Sequence, residues 1–183
     1  MMAKPLRFVG SSLDDLRNFP DEARRDAGFQ LRAVQSGLDP SDWRSIHAVG
    51  PGVKEIRIHI LGEWRIVYVV QRQDIELARR RYGQIGGRIM SKDIVNSSGN
   101  TFADLGFSPE EAAILQMRAD LMAQVRKVIQ TKKLTQAKAA KLLGVSQSRV
   151  SDLVRGKWEK FSLEMLITLA TRAGIRVRIK TAA

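Results

Sequence analysis

Within Ser146 to Leu153 the chain sets a run of polar side chains, Gln147, Ser148, Arg149, Ser151 and Asp152, around two apolar residues, Val150 and Leu153, three positions apart. That spacing predicts a short helix pinned by Val150 and Leu153, with the polar set facing out. Amide, hydroxyl and guanidinium groups gathered at one helix end have the chemistry of base-edge readout. Arg149 can pair bidentately with guanine, and Asp152 can accept from the amino group of cytosine or form a local ion pair. Other chemistry finds little support. His47 and His59 are the only histidines and lack a ligand-spaced partner, and there is no cysteine, so no metal site is expected. No serine sits in a triad context and no glycine-rich loop follows a strand to cradle phosphate. No cofactor is expected.

The elements that must position this set are legible around it. Thr135 and Ser146 can each cap a helix, because their hydroxyls accept from free amides of the first turn. Ala139 is small enough for two helices to cross closely. Gly144 suits a sharp turn with positive φ, and Val145 fills the angle behind it. The result is two short helices, the second presenting its N-terminal end as a recognition helix does to a major groove. A long helix from Pro109 to about Thr131, capped by Ser108, precedes them, with Leu115, Leu121, Val125, Val128 and Ile129 inward. A helix from Ser162 to Arg172, stopped at Gly174, follows. Ile175 to Ile179 alternates apolar and basic residues, a strand pattern. It could pair with its own copy across a two-fold axis, giving a homodimer, or pack within the monomer.

The combination Thr135-Gln136, Gly144-Val145-Ser146-Gln147 and Arg155-Gly156-Lys157 resembles the Cro/C1 (XRE-type) helix-turn-helix family over about Val125 to Leu169. The resemblance implies double-stranded DNA as partner. Gln136 would contact phosphate, and Gln147, Ser148 and Asp152 would stand where the family reads bases, with Ser146, Arg149 and Ser151 beside them. Lys157 and Lys160 would hold the DNA backbone. The family often has Gln or Lys where Ser148 and Asp152 stand.

The first half reads as a small mixed domain. Leu6 to Val9 is strand-like; Ser12 caps a helix ended by Pro20; Asp21 to Gln35 carries Ala23, Ala27, Leu31 and Val34 at helical spacing. After a turn at Gly37, Asp39 and Pro40, Val53 to Ile60 and Trp64 to Val70 read as a hairpin turned at Gly62. Gln73 to Tyr82 is expected to form an Arg-rich helix. Gly86-Gly87 and Asn96 to Asn100 read as linker. The expected organisation is therefore a domain over 1–82, a linker over 83–100 and a helical domain over 101–183, with the two-helix module at 131–160.

Residues Leu6 to Leu13, Phe19 to Arg25, Gly52 to Arg57, Trp64 to Tyr68 and Asp74 to Tyr82 resemble the HigB-like, phage Gp49-like branch of the RelE/ParE toxin superfamily. The run Gly99 to Gly106 and the helices after it are similar to the partner antitoxin of the HigA type. The resemblance implies an α+β chain: a RelE-like domain with an incomplete sheet, then an all-α helix-turn-helix domain with a C-terminal strand. Toxins of this kind cut mRNA, and Arg57, Arg65 and Tyr68 are candidates for that chemistry by residue type. Val70 however passes through three residues to Asp74, where the family has a further strand and a basic segment, so RNA cleavage is expected to be weak or absent. Arg79 to Arg81 reads as a solvated helix face, and Trp43 and Trp64 as packing residues.

Charge agrees with a polyanionic partner. The net charge is +12, with 15 basic and 11 acidic residues in 1–89 (+4) against 16 and 8 in 90–183 (+8). The more basic half holds the two-helix module. No run approaches the roughly 20 apolar residues that span a bilayer, and no leader is visible, so a cytoplasmic protein without a membrane partner is expected. Two functions of different kinds remain: a dimeric repressor of its own promoter that neutralises a HigB-like toxin in cis or in trans, or an mRNA endonuclease held inactive by its own second half.

Overall fold

The computed structural model describes residues 4–70 and 94–178. The expected helix over Gln73 to Tyr82, the Arg79 to Arg81 face and the Gly86-Gly87 break lie outside the described residues. Strand β1 (Arg7–Val9) leads into α1 (Ser12–Arg17) and α2 (Asp21–Gln35). The first helix begins at its expected cap: Ser12 is helical with Ser11 in the cap position, and Ser12 Oγ accepts from Val9 N–H at 3.0 Å. Pro20, which cannot extend α1, occupies the cap position of α2.

Three strands then form an antiparallel sheet in the order β2 (Trp43–Ser45), β3 (Val53–Ile58), β4 (Trp64–Val69). Because side chains alternate along a strand, the register of β3 on β4 puts Ile56 opposite Ile66 and Ile58 opposite Trp64 on one face, which packs on α2. The other face carries Arg44, Glu55, Arg57 and Arg65.

The segment read as linker contains structure. Ile94–Asn96 forms β5 and pairs antiparallel with β1, Phe8 lying opposite Val95. Asn100 then caps α3 (Thr101–Asp104), its side chain accepting from the amides of Phe102 and Ala103.

The helical half continues as α4 (Pro109–Thr131), α5 (Gln136–Leu143), α6 (Gln147–Val154), a 3-10 turn at Trp158–Lys160, and α7 (Leu163–Arg172). Ser108 and Ser162 cap α4 and α7.

Two hydrophobic cores organise these elements. The second belongs to the helical half: Val125 and Ile129 of α4 meet Leu143, Val150, Leu153, Leu166 and Leu169. The first is shared between the halves. Phe8, Leu16, Ala27, Phe29, Ile56 and Ile58 pack with Phe102, Leu105, Ala112 and Leu115. Ion pairs flank that seam, Arg25 to Glu111 at 2.7 Å and Arg32 to Asp120.

The expected C-terminal strand is not formed by the described residues: Ile175 to Arg178 pair with no strand. Ile175 N–H instead closes the end of α7 on Ala170 C=O at 2.9 Å, across Gly174 at φ +86°. Ile175 and Val177 pack on the helical core while Arg176 and Arg178 are exposed. That half-buried tail produces the two-residue alternation without a ladder.

Candidate nucleic-acid interface

The site is built on α5 and α6. Thr135 Oγ1 accepts from Lys138 N–H and Ser146 Oγ from Arg149 N–H, both at 3.2 Å, so each helix starts at its hydroxyl cap. Between them Gly144 takes φ +64°, ψ +38°, the left-handed conformation in which a side chain is strained. Val145 N–H returns to Ala140 C=O at 3.1 Å, closing the helix end as a Schellman turn does. Ala139 is fully buried at the helix crossing. Arg172 of α7 fixes the turn from outside, donating through Nη1 to Leu143 C=O at 2.8 Å. Its contribution was not foreseen, since nothing local to residues 134–156 points to position 172.

Val150 and Leu153 anchor α6 in the core at 0% and 1% exposure. This leaves Gln147 and Ser148 exposed on the first turn, with Arg149, Ser151 and Asp152 half-buried beside them. Gln136 is exposed at the start of α5. The described residues offer no hydrogen-bond partner to the side chains of Gln136 or Gln147, whereas Ser148 Oγ lies 2.9 Å from Ser146 Oγ. Ser151 Oγ accepts from Arg155 Nη2 at 2.6 Å.

Arg149 is less free. Its Nη1 donates to Lys160 C=O at 3.1 Å and its guanidinium lies 5.6 Å from the centroid of Phe161. Asp152 forms the local ion pair that its type allowed: Lys160 Nζ donates to Oδ2 at 2.8 Å and Lys157 Nζ stands 3.3 Å from Oδ1. The hydrogen bond from Lys160, joined by Lys157, holds the Asp152 carboxyl below the usual carboxylate range. Both lysines expected to touch the DNA backbone therefore sit against α6.

The candidates for RNA cleavage are placed differently. Arg57 and Arg65 are cross-strand neighbours on the outer face of the sheet. Arg57 is held by Asp42, and Arg65 donates to the buried Glu55 at 2.7 Å. Tyr68 shares the opposite face with Ile66 and Trp64 and packs on the core, where burial, with Asp39 nearby, pushes its hydroxyl up to about 12. The structure brings the two arginines together and separates Tyr68 from them. Trp64 packs on Phe19 with ring centroids 4.5 Å apart, and Trp43 lies beneath Lys54, whose Nζ is 3.8 Å from the ring centroid; both are packing residues. His59 lies between Glu63 at 2.8 Å and Asp42 at 3.0 Å, which raise its pKa, the hydrogen bond to Glu63 first. Among the described residues no group of three metal-ligating side chains occurs, and no helix is long and apolar enough to cross a membrane.

Two short helices joined by a left-handed glycine, the second with a polar outer face, define a helix-turn-helix protein. Residues 101–182 match the family model of a helix-turn-helix domain, and residues 14–78 match that of the phage derived protein Gp49-like family. The chain thus joins a Gp49-like domain of the RelE toxin type to an XRE-type helix-turn-helix domain, an order consistent with a toxin fused to its antitoxin. Among curated proteins no relative matches the chain.

Proposed function

We propose that the chain is a sequence-specific regulator of a toxin-antitoxin system that binds double-stranded DNA as a homodimer and represses its own promoter. One observation carries the reading: α6 turns Gln147 and Ser148 outward at a capped N-terminus while its other face is locked in the core. The base-reading set is Ser146, Gln147, Ser148, Arg149, Ser151 and Asp152, and Gln136, Lys157 and Lys160 meet phosphates. Phosphate contacts supply affinity and register, and base contacts supply sequence preference.

In this reading the toxin-like half is neutralised in cis. Its α2 covers α4, with Lys127 Nζ donating to Ser36 C=O at 3.3 Å and Arg126 Nη2 to Asp39 C=O at 2.9 Å. A separate toxin of the same build would need that covered surface. Pairing of Arg57 with Asp42 and Arg65 with Glu55 argues against RNA cleavage, because cations neutralised by carboxylates stabilise a developing phosphorane charge poorly.

A reporter gene under the DNA immediately upstream of the coding sequence tests the reading. The intact chain should silence it, and Gln147→Ala with Arg149→Ala should restore expression. Equal expression with and without the chain would contradict autorepression. Growth arrest on release of residues 1–89 alone would contradict the loss of RNA cleavage.

A further inference from the structure

The loop after the recognition helix, residues 155–161, is held from two sides. On one side it serves α6: Lys157 and Lys160 pair with Asp152, and Lys160 C=O accepts from Arg149. On the other it is tied to the first half of the chain by one side chain. The Trp158 ring stacks on Phe29 of α2, centroids 4.7 Å apart and planes 5° from parallel. Its Nε1–H donates to Asp26 Oδ1 at 3.0 Å. Trp158 packs against both hydrophobic cores. The loop backbone at and after Trp158 is clamped by Arg118, which donates to Trp158 C=O at 3.0 Å and to Phe161 C=O at 2.7 Å.

Resting on the DNA-binding reading above, we infer that Trp158 is a positioning residue for DNA binding, through which the Gp49-like half sets the place of Lys157 and Lys160 beside the recognition helix. The toxin-like half is then part of the apparatus that holds DNA. The physical reason is entropic. A lysine on an untethered loop must be ordered when it meets a phosphate, and that ordering costs conformational entropy. A loop stacked on α2 and clamped by Arg118 is already ordered.

Phosphate contacts are sequence-independent, so a random-sequence duplex about two helical turns long serves as probe. Each contact contributes on the order of fivefold in affinity at about 0.15 M salt and about one unit of salt slope. Trp158→Ala should therefore weaken binding by about five- to thirtyfold and lower the slope by up to about 2. In a Lys157→Ala, Lys160→Ala background the same change should add almost nothing, because the coupled contacts are already gone. Asp26→Asn, which keeps an acceptor for the indole N–H, should bind as wild type does, and Asp26→Leu should not.

Unchanged affinity and slope in Trp158→Ala overturn the inference, as does a loss that persists in full without the two lysines. If Trp158→Ala fails to fold, the Asp26 pair decides, and equal binding by Asn and Leu overturns it. A wild-type chain that binds no duplex sinks the DNA-binding reading itself, and this proposal with it.

Discussion

Replacing Gly28 by Ala tests the docking of the two halves through the sign of one stability change. Gly28 lies inside α2. On helix propensity alone, Gly→Ala within a helix gains about 1 kcal/mol. The structure predicts the opposite sign. A Cβ built on Gly28 would lie 2.8 Å from Cδ1 and 3.0 Å from Cζ of Phe102, and closer still to Cε1. Phe102 is fully buried and cannot swing aside. Its ring stands edge-on to Phe29 at 5.2 Å and 6.2 Å from Phe107. Forcing a methyl into such packing costs about 1–3 kcal/mol, and an approach this short belongs at the upper end. After the propensity gain, a net loss of about 1–2 kcal/mol remains. Urea denaturation of wild type and Gly28→Ala, followed by helical circular dichroism, reads the difference from the midpoint shift. A variant more stable by about 1 kcal/mol would show that α2 does not press on Phe102, and the shared core would fall with that result.

Three further outcomes follow from particular contacts. Gly144→Ala should destabilise by about 2–4 kcal/mol, combining left-handed strain with displacement of the Arg172 hydrogen bond to Leu143 C=O. Gly144→Asn should cost less, and equal losses by thermal melting would argue against the strain. Asp26 is half-buried, and desolvation first of all raises its pKa despite hydrogen bonds from Gln30 and Trp158. An acid with a raised folded pKa binds more protons than its unfolded form, so its share of stability is greatest at low pH. That share declines as pH rises from the unfolded value of 3.8 to the folded one. Asp26→Asn should therefore be neutral or stabilising at pH 7 and flatten that acid limb; a loss of stability at pH 7 in a denaturant series would contradict this. Asp152→Asn frees Lys157 and Lys160 and removes a negative charge facing phosphate, so random-sequence DNA should bind about fivefold more tightly. Weaker binding in a gel-shift titration would contradict the gain expected from releasing the two lysines. The depressed pKa of Asp152 gives the ion pair's sign: its contribution is present above the unfolded carboxylate value and is lost as pH falls through the folded one.

Local chemistry was the legible part of this chain. Asp21 to Gln35 and Pro109 to Thr131 have the helix limits that apolar spacing and caps indicate. Thr135, Gly144 and Ser146 perform the cap and turn roles their types suggest. What the sequence hid was made at long range. The pairing of Ile94–Asn96 with Arg7–Val9 joins two three-residue strands across most of the first half, too short for a periodic signal, and the polar run beside it looks like linker. Trp158 carries no mark that distinguishes a joint between halves from an ordinary core residue. Its partners, Asp26 and Phe29, lie in a helix whose pattern reports only that one face is apolar. At the C-terminus, Ile175 and Val177 alternate with arginines because one side of the tail lies on the helical core, and alternation alone cannot tell that from a paired strand.

The central claim is sequence-specific DNA binding through α6, and fluorescence anisotropy over a salt series tests it most directly. The intact chain would be titrated onto the duplex immediately upstream of its coding sequence and onto a scrambled duplex of equal composition, each with wild type and Gln147→Ala. The account predicts tighter binding to the upstream duplex, a preference reduced by about 1–3 kcal/mol in the variant, and a similar salt slope for both proteins because the phosphate contacts remain. Equal, steeply salt-dependent binding to both duplexes, unaffected by Gln147→Ala, would reduce the interaction to charge attraction and contradict the account.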